Sequence, residues 1–507
     1  MKTAMPRIDT GLLWKQASQA IERYDYAGAE KLLTEALQQL EGSARIRCLA
    51  QYGRVLGPLG RQVEAVDAVR QAIALIASDT GVDAATCHIL GLTLSGARRE
   101  AEALPLLQRA TELAPESGPY WKTRGETEEF LGLTDDAEHS YDTAAVTGNW
   151  AAHLALARLK HWMPARNHID RLIAAPARTA LHQACQGYAL FKEYDDIDDR
   201  ANAWTWLQKG AAAVRAQPVT PRRPAWSAEV EHTTTEAWMT AFLPERFATM
   251  PPVRRGGPRR LFIIGLPRSG TTLIERILGA HSQVQALGEL PTFPAAVKTC
   301  SRSRTPALLD EETVNAATHT DPQAIADFYD QETTWRHDGS PWVTDKLPHN
   351  SDYAGLIRLA FPDAAIVHVR REPMDALFGA YKLYFAAGWS FDQADLAEHY
   401  AHYRTLMAHW KACLGDGLID IALEAVIHDP DTEIRRLLDA CGLPFERACL
   451  SPHTAKGAVA SASSSQVRKP INAEGVGAWR RYEAELAPLR ARLESLGAID
   501  SNGDALP

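Results

Sequence analysis

Gly265 and Gly270 frame the stretch GLPRSGTT, between the apolar run Leu261 to Ile264 and a segment of helical spacing from Thr272 to Ala280. Glycines at this spacing let backbone N–H groups close around an anion, and the helix start that follows adds partial positive charge. Ser269, Thr271 and Thr272 supply hydroxyl donors and Arg268 a guanidinium. The frame is that of a nucleotide-binding P-loop, except that Thr271 stands where that motif carries lysine.

The missing lysine decides which anion suits the loop. In an NTPase it reaches the β- and γ-phosphates, while a Ser/Thr helps hold magnesium. Asp345 is the nearest candidate for a magnesium-binding strand end, but Lys346 follows it directly. A phosphosulfate asks for less charge compensation, because a sulfonyl group is less negative than a γ-phosphate. Arginine, hydroxyls and a lysine suffice for it, and no metal is expected.

The elements that must position these groups read as alternating strands and helices. Trp342 to Lys346, Ala364 to Pro373 and Leu418 to Leu423 each carry a strand-like run, and YAGLIRLAF between the first two has helical spacing. Such alternation predicts a parallel sheet covered on both faces, with ligands at the carboxyl ends of the strands. Arg268, Lys346, Arg370 and Arg371 all fall just past expected strand ends. His368 sits inside a strand and reads as a core histidine.

The first half has a different period. Trp121, Gly125, Ala137, Tyr141 and Ala144 recur in kind as Gly91, Ala103, Leu107, Ala110 and Pro115, then as Gly53, Ala65 and Ala72, then as Ala17, Ala29 and Ala36. These are the key positions of a 34-residue helical hairpin, the tetratricopeptide repeat (TPR), where small residues allow close helix approach. The period weakens after Trp150, although Trp204 and Trp206 read as core of one more pair. The expected organisation is an N-terminal all-α TPR solenoid (residues 1–217), a linker with a short helix (218–260), and an α/β P-loop-like domain with a central parallel sheet (261–507).

Bulk properties bound the function. The chain has 507 residues and a formal net charge of -9, no support for a bulk nucleic-acid binder. The N-terminus has no apolar signal-peptide core, and no apolar run approaches the ~20 residues of a membrane helix. Seven cysteines without a C-x-x-C pair argue for reduced thiols. A cytoplasmic location is expected.

LPRSGTT followed by VRREPMDALFGAY resembles the two cofactor segments of sulfotransferases that use 3′-phosphoadenosine-5′-phosphosulfate (PAPS), and QVRKPINAEGVGAWRRYEAEL resembles the third. With the repeats, residues 14 to 496 resemble bacterial TPR-containing sulfotransferases, and the catalytic half is similar to tyrosylprotein sulfotransferases. The resemblance implies that Arg268, Ser269, Gly270, Thr271 and Thr272 bind the 5′-phosphosulfate. Arg371 would grip the 3′-phosphate, with Arg468, Lys469 and Ser463 as later contacts. It implies Glu289 as the catalytic base and Lys346 and Arg268 as catalytic cations. His349 is a rival base, and Trp479 reads as packing beside the cofactor. Two positions depart from the family: Gly379 replaces a serine near the 3′-phosphate, and Leu423 replaces a tyrosine near the nucleoside. The implied acceptor is a hydroxyl on a protein tyrosine, a glycan or a small alcohol, and the TPR array would recruit a protein or peptide or mediate self-association. The competing readings are a TPR scaffold with a degenerate transferase domain and a P-loop kinase or NTPase.

Overall fold

The computed structural model describes residues 10–76, 81–220, 225–248, 257–305, 307–384, 388–455, 466–500, 503 and 505. The chain divides into two compact units: Met1–Ala152 with Gln331–Trp335, and His153–Asp330 with Arg336–Pro507. Within the expected linker (218–260), residues 221–224 and 249–256 lie outside the described residues.

In the first unit, helices pair in chain order: Thr10–Glu22 with Tyr26–Leu37, Gly42–Leu56 with Gln62–Ile76, Ala84–Gly96 with Glu100–Leu113, and Gly118–Leu131 with Thr134–Val146. Short connections make each pair a hairpin, as the repeat period predicts. Ala29, Ala65, Ala103 and Ala137 are fully buried at the expected crossings. A Cβ on Gly91 would lie 2.7 Å from Leu107 Cγ and 3.3 Å from the Ala103 carbonyl oxygen. On Gly125 it would lie 2.7 Å from Tyr141 Cδ1. Gly91 therefore faces both the backbone and a side chain of its paired helix, and Gly125 lies against the Tyr141 ring.

The second unit is built on five strands, β1 Arg259–Gly265, β2 Val284–Ala286, β3 Trp342–Lys346, β4 Ala365–Arg370 and β5 Leu418–Ala422. Their order is β2-β3-β1-β4-β5, and every neighbouring pair is parallel. Along β1 the side chains alternate. Leu261 and Ile263 join Val367, Val369 and Ile421 in one core. Phe262 and Ile264 join Val343 and Ile366 in the other. Covering both faces is why the strands read as continuous apolar runs. Burying Phe262 completely contributes about 1.5–3 kcal/mol. β2, three residues long, is too short to show alternation and was not expected from the sequence.

Two flanking helical pieces belong to this unit. The helix Ala228–Ala241 places Trp238 in the sheet's core, 5.9 Å from Trp410. The helices Ala180–Asp196 and Arg200–Arg215 approach so closely that a Cβ on Gly187 would fall 2.4 Å from Gly210 Cα. Trp204 of this pair is buried and stacks on Tyr482 at 5.8 Å, while Trp206 is only half-buried beneath Lys209. No helix among the described residues is long and apolar enough to cross a membrane.

Candidate active site

The strand order turns back at β1, with β3 on one side and β4 on the other. That reversal opens a crevice at the carboxyl end of β1, the usual ligand position in such sheets. The loop Gly265–Thr272 occupies it. Gly265 has φ +151°, and a Cβ there would lie 2.6 Å from the Val369 carbonyl oxygen. Gly270 has φ +95° and caps the helix Thr271–Gly279, with Leu423 so close that a Cβ would meet Cδ1 at 2.6 Å. Arg268 itself takes φ +72°, an unusual conformation for a non-glycine residue. Ser269, Thr271 and Thr272 are buried, and Ser269 Oγ has no hydrogen-bond partner among the described residues. A buried hydroxyl left unsatisfied costs about 1–3 kcal/mol, so an anion seated in this loop would recover it.

Arg371, one residue past β4, ties three segments together. Its Nη1 donates to the Arg268 carbonyl at 2.7 Å and its Nη2 to the Gly475 carbonyl at 2.5 Å. Its Nε has no partner among the described residues. Asp375, 4.0 Å from Arg371, accepts hydrogen bonds from the backbone N–H of Gly477 at 2.6 Å and Trp479 at 3.2 Å. The third sequence segment is thereby fixed against the first two. The neighbouring Arg370 points outward, 62 % exposed, because adjacent residues of a strand face opposite ways.

These residues enclose a cavity of about 370 Å³, lined by Arg268, Gly270, Thr272, Arg371 and Lys469 among others. The volume lies in the range of small-ligand sites. Three further lining residues carry no local sequence signal. Lys382, after the helix Pro373–Tyr381, is pushed down to about 8 by burial, with Asp195 and Asp375 opposing and Arg268 and Arg371 adding to the shift. Arg481 is held by Asp195 and, at 2.7 Å, by Asp198. Asp195 lies on the helix Ala180–Asp196 and also accepts from Tyr482 Oη at 2.8 Å. Arg268 is itself pushed down to about 10 by burial, then by Arg371 and Arg158, and stays cationic at neutral pH. Lys469 is exposed and paired with Glu474 at 3.2 Å. Arg468 is half-buried and acts on Arg276, and Ser463 lies outside the described residues.

Glu289 and Lys346 meet on the other side of β1. Lys346 ends β3, in register with Ile263, and is 1 % exposed. Its Nζ lies 2.5 Å from Glu289 Oε1, across 57 residues of sequence. Its backbone N–H donates to the Gly288 carbonyl at 3.0 Å. Glu275, on the helix Thr271–Gly279, accepts from Gly288 N at 2.9 Å and from Thr344 Oγ1 at 2.7 Å. The carboxylate is buried, which pushes its pKa up. It links the anion loop's helix to the segment bearing Glu289. Asp345 faces the core instead, accepting from Tyr329 Oη at 3.0 Å and Asn350 Nδ2 at 3.3 Å, and burial pushes it up to about 8. Its carboxylate is committed to that network. His368 is buried between Asp420 at 2.8 Å and Tyr403 at 2.6 Å. Trp479 is buried.

Chemically, the arrangement offers a cationic anion-binding loop and a carboxylate with a lysine partner on adjacent strand ends. It can hold a phosphate-like group and accept a proton beside it.

Residues 258–447 match the sulfotransferase family. A protein of Aquifex aeolicus (strain VF5) is 31% identical over 63% of this chain and 43% of its own length. The chain therefore spans less than half of that relative. Protein-tyrosine sulfotransferase 1 of Danio rerio is 26% identical over 46% of this chain and 71% of its own. Among solved structures, the sulfotransferase domain from the curacin biosynthetic pathway covers 47% of this chain and 99% of its own, at 15% identity and TM-score 0.32.

Proposed function

We propose that this chain, whose residues 258–447 form a sulfotransferase-family domain, transfers a sulfonyl group from a PAPS-type donor to an acceptor hydroxyl. The observation that carries the reading is the Glu289–Lys346 pair at the strand end next to the loop that bears Arg268 and the unsatisfied Ser269 hydroxyl. The donor fits these residues: Arg268, Ser269, Gly270, Thr271 and Thr272 would hold its 5′-phosphosulfate, and Arg371, Arg468 and Lys469 its 3′-phosphate. Ser463 stays a candidate of the same kind. When bound, the donor supplies the sulfonyl group, the sulfur–oxygen bond to its phosphate breaking with the electron pair on the departing oxygen as the bond from sulfur to the acceptor oxygen forms.

Glu289 takes the acceptor's proton on its carboxylate, as a general base. Lys346 holds that carboxylate in place and, with Arg268, sets positive charge where the transferred oxygens gather it. The loop N–H groups and hydroxyls orient the anion. Helices of the repeat unit recruit the acceptor or a partner protein.

The test pairs binding with turnover. Glu289→Gln should lower transfer by about 10²–10⁴-fold, the usual worth of a general base, with binding of 3′,5′-adenosine bisphosphate unchanged. Binding is read by thermal shift, where a ligand selective for the folded chain raises stability by about 2.7 kcal/mol at 100 times its Kd. Stabilisation by ATP–Mg²⁺ alone would replace this reading with a kinase or NTPase. Wild-type turnover in Glu289→Gln would remove the base.

A further inference from the structure

A second cavity, of about 330 Å³, lies against the same loop. Gly265, Leu266 and Pro267 form part of its wall, whereas Arg268, Gly270 and Thr272 line the first cavity. One loop thus runs between the two. His349, three residues past Lys346, also lines the second cavity and feels the charge of Glu289. A transfer between a donor in the first cavity and an acceptor in the second would cross the loop where Arg268 sits.

The lining chemistry of the second cavity is unlike that of the first. Most of its surface is apolar, with Trp226, Trp238 and Trp389 among its walls and, among the described residues, no lysine or arginine. Two carboxylates face it, Glu231 and Asp352. Glu231 is already engaged: Oε2 accepts from Trp226 Nε1 at 2.6 Å, and Oε1 pairs with His399 Nδ1 at 2.5 Å. His399 in turn stacks on Trp389 at 3.9 Å, 11° from parallel. The Asp352 carboxylate, by contrast, makes no hydrogen bond or ion pair among the described residues, and only the more distant charge of His399 offsets its burial. His349 and His402, the other imidazoles on the wall, are held towards their neutral forms by burial. An unpaired carboxylate against aromatic walls is costly empty and matches a desolvated organic cation, which indole faces also attract.

We propose that this cavity is the acceptor subsite and that it takes a small hydroxyl compound bearing a protonated amine, with the amine at Asp352 and the apolar body against the tryptophans. The assignment rests on the sulfonyl-transfer reading. The cavity volume, near the lower end for ligand sites, suits a one- or two-ring molecule. Burial and the charge of Glu231 push Asp352 up to about 7, and an ammonium beside it restores the ionised form.

The experiment uses the full chain and three probes of similar shape: tyramine, 4-propylphenol and 3-(4-hydroxyphenyl)propanoate. Binding is measured directly by calorimetry, with and without 3′,5′-adenosine bisphosphate, and transfer is measured as kcat/KM. Tyramine should bind at least tenfold more tightly than the neutral phenol, and the carboxylate probe least. Asp352→Asn should bring the amine-to-neutral ratio within about twofold of unity and leave 4-propylphenol and the bisphosphate unchanged. Equal or better binding of the neutral or anionic probe to the wild type overturns the proposal, and this ranking needs no variant. An unchanged ratio in folded Asp352→Asn overturns the role of Asp352. Failure of the bisphosphate to bind, with the amine preference intact, sinks the donor reading and leaves the cation site standing.

Discussion

The two cavities that share the loop Gly265–Thr272 are built to opposite rules. The first is lined by Arg268, Arg371, Lys382, Lys469 and Arg481, and the side chains of Arg371 and Asp375 tie the backbone of two distant segments, at Arg268 and at Gly475 and Gly477, against its wall. The second has no lysine or arginine among its described residues, three indoles, and two carboxylates of which one is already paired. A polyanion is favoured in the first and disfavoured in the second by Coulomb terms alone. The contrast teaches that the loop is also a wall: its two halves separate a cavity rich in cationic side chains from a mostly apolar one that carries two carboxylates. Arg268 stands at the division, with a backbone conformation that commits it to one place.

Removing the dividing residue should have the largest effect on this arrangement. Arg268→Asn keeps a side chain that tolerates positive φ, so the loop's fold survives. Loss of one preorganised charge donor costs on the order of 10²–10³ in rate. Single-turnover transfer at saturating donor should fall by that amount. A loss under tenfold would mean that the cationic cavity only binds and takes no part in the chemical step.

A smaller effect is expected from Lys382, which tests whether the cationic lining acts on the donor at all. Its ammonium is pushed down to about 8, so it is charged at pH 7 and largely neutral at pH 9. The donor is anionic across that range, so affinity should fall as pH rises through the lysine's pKa. Lys382→Met should weaken 3′,5′-adenosine bisphosphate about tenfold at pH 7, or about 1.4 kcal/mol, and flatten the dependence between pH 7 and 9. Calorimetric titrations at both pH values decide it. An identical pH slope in variant and wild type would place the lysine outside the binding set.

How much of this could be read along the chain follows from how each feature is encoded. The loop, β1, β3, β4 and β5 are local patterns, and Gly265 and Gly270 declare a backbone need that side chains cannot meet. The repeat alanines are equally legible, because close helix approach imposes small residues at a fixed period. Arg370 and Arg371 look alike in sequence, and only the strand's alternation sends one to solvent and the other to the site. Glu289 and Lys346 are 57 residues apart, and family resemblance rather than spacing pairs them. Lys382, Asp195 and Asp352 had no local signal. Each acquires meaning from what the fold sets beside it: two arginines, a tyrosine hydroxyl, and a wall of indoles.

The smallest expected effect concerns Gly379, where the family resemblance implies a serine. Two accounts of the glycine differ. It has either lost a hydroxyl contact to the donor or makes room for Arg268. A Cβ at this position would lie 3.1 Å from Arg268 Cβ and 3.9 Å from Arg371 Nη1. The first distance is tight enough that Arg268 must yield by a few tenths of an ångström. Serine also improves helix propensity by about half a kcal/mol inside Pro373–Tyr381, offsetting part of the crowding. Gly379→Ser should therefore leave stability within about 1 kcal/mol of the wild type. Donor affinity should weaken two- to fivefold, or by about 0.4–1 kcal/mol, because the crowded group is the arginine proposed to hold the anion. Affinity rising by more than threefold would show that the hydroxyl reaches the donor and that this glycine is a lost contact. An unchanged affinity would show that Arg268 adjusts freely, and that the boundary between the two cavities is softer than its backbone suggests.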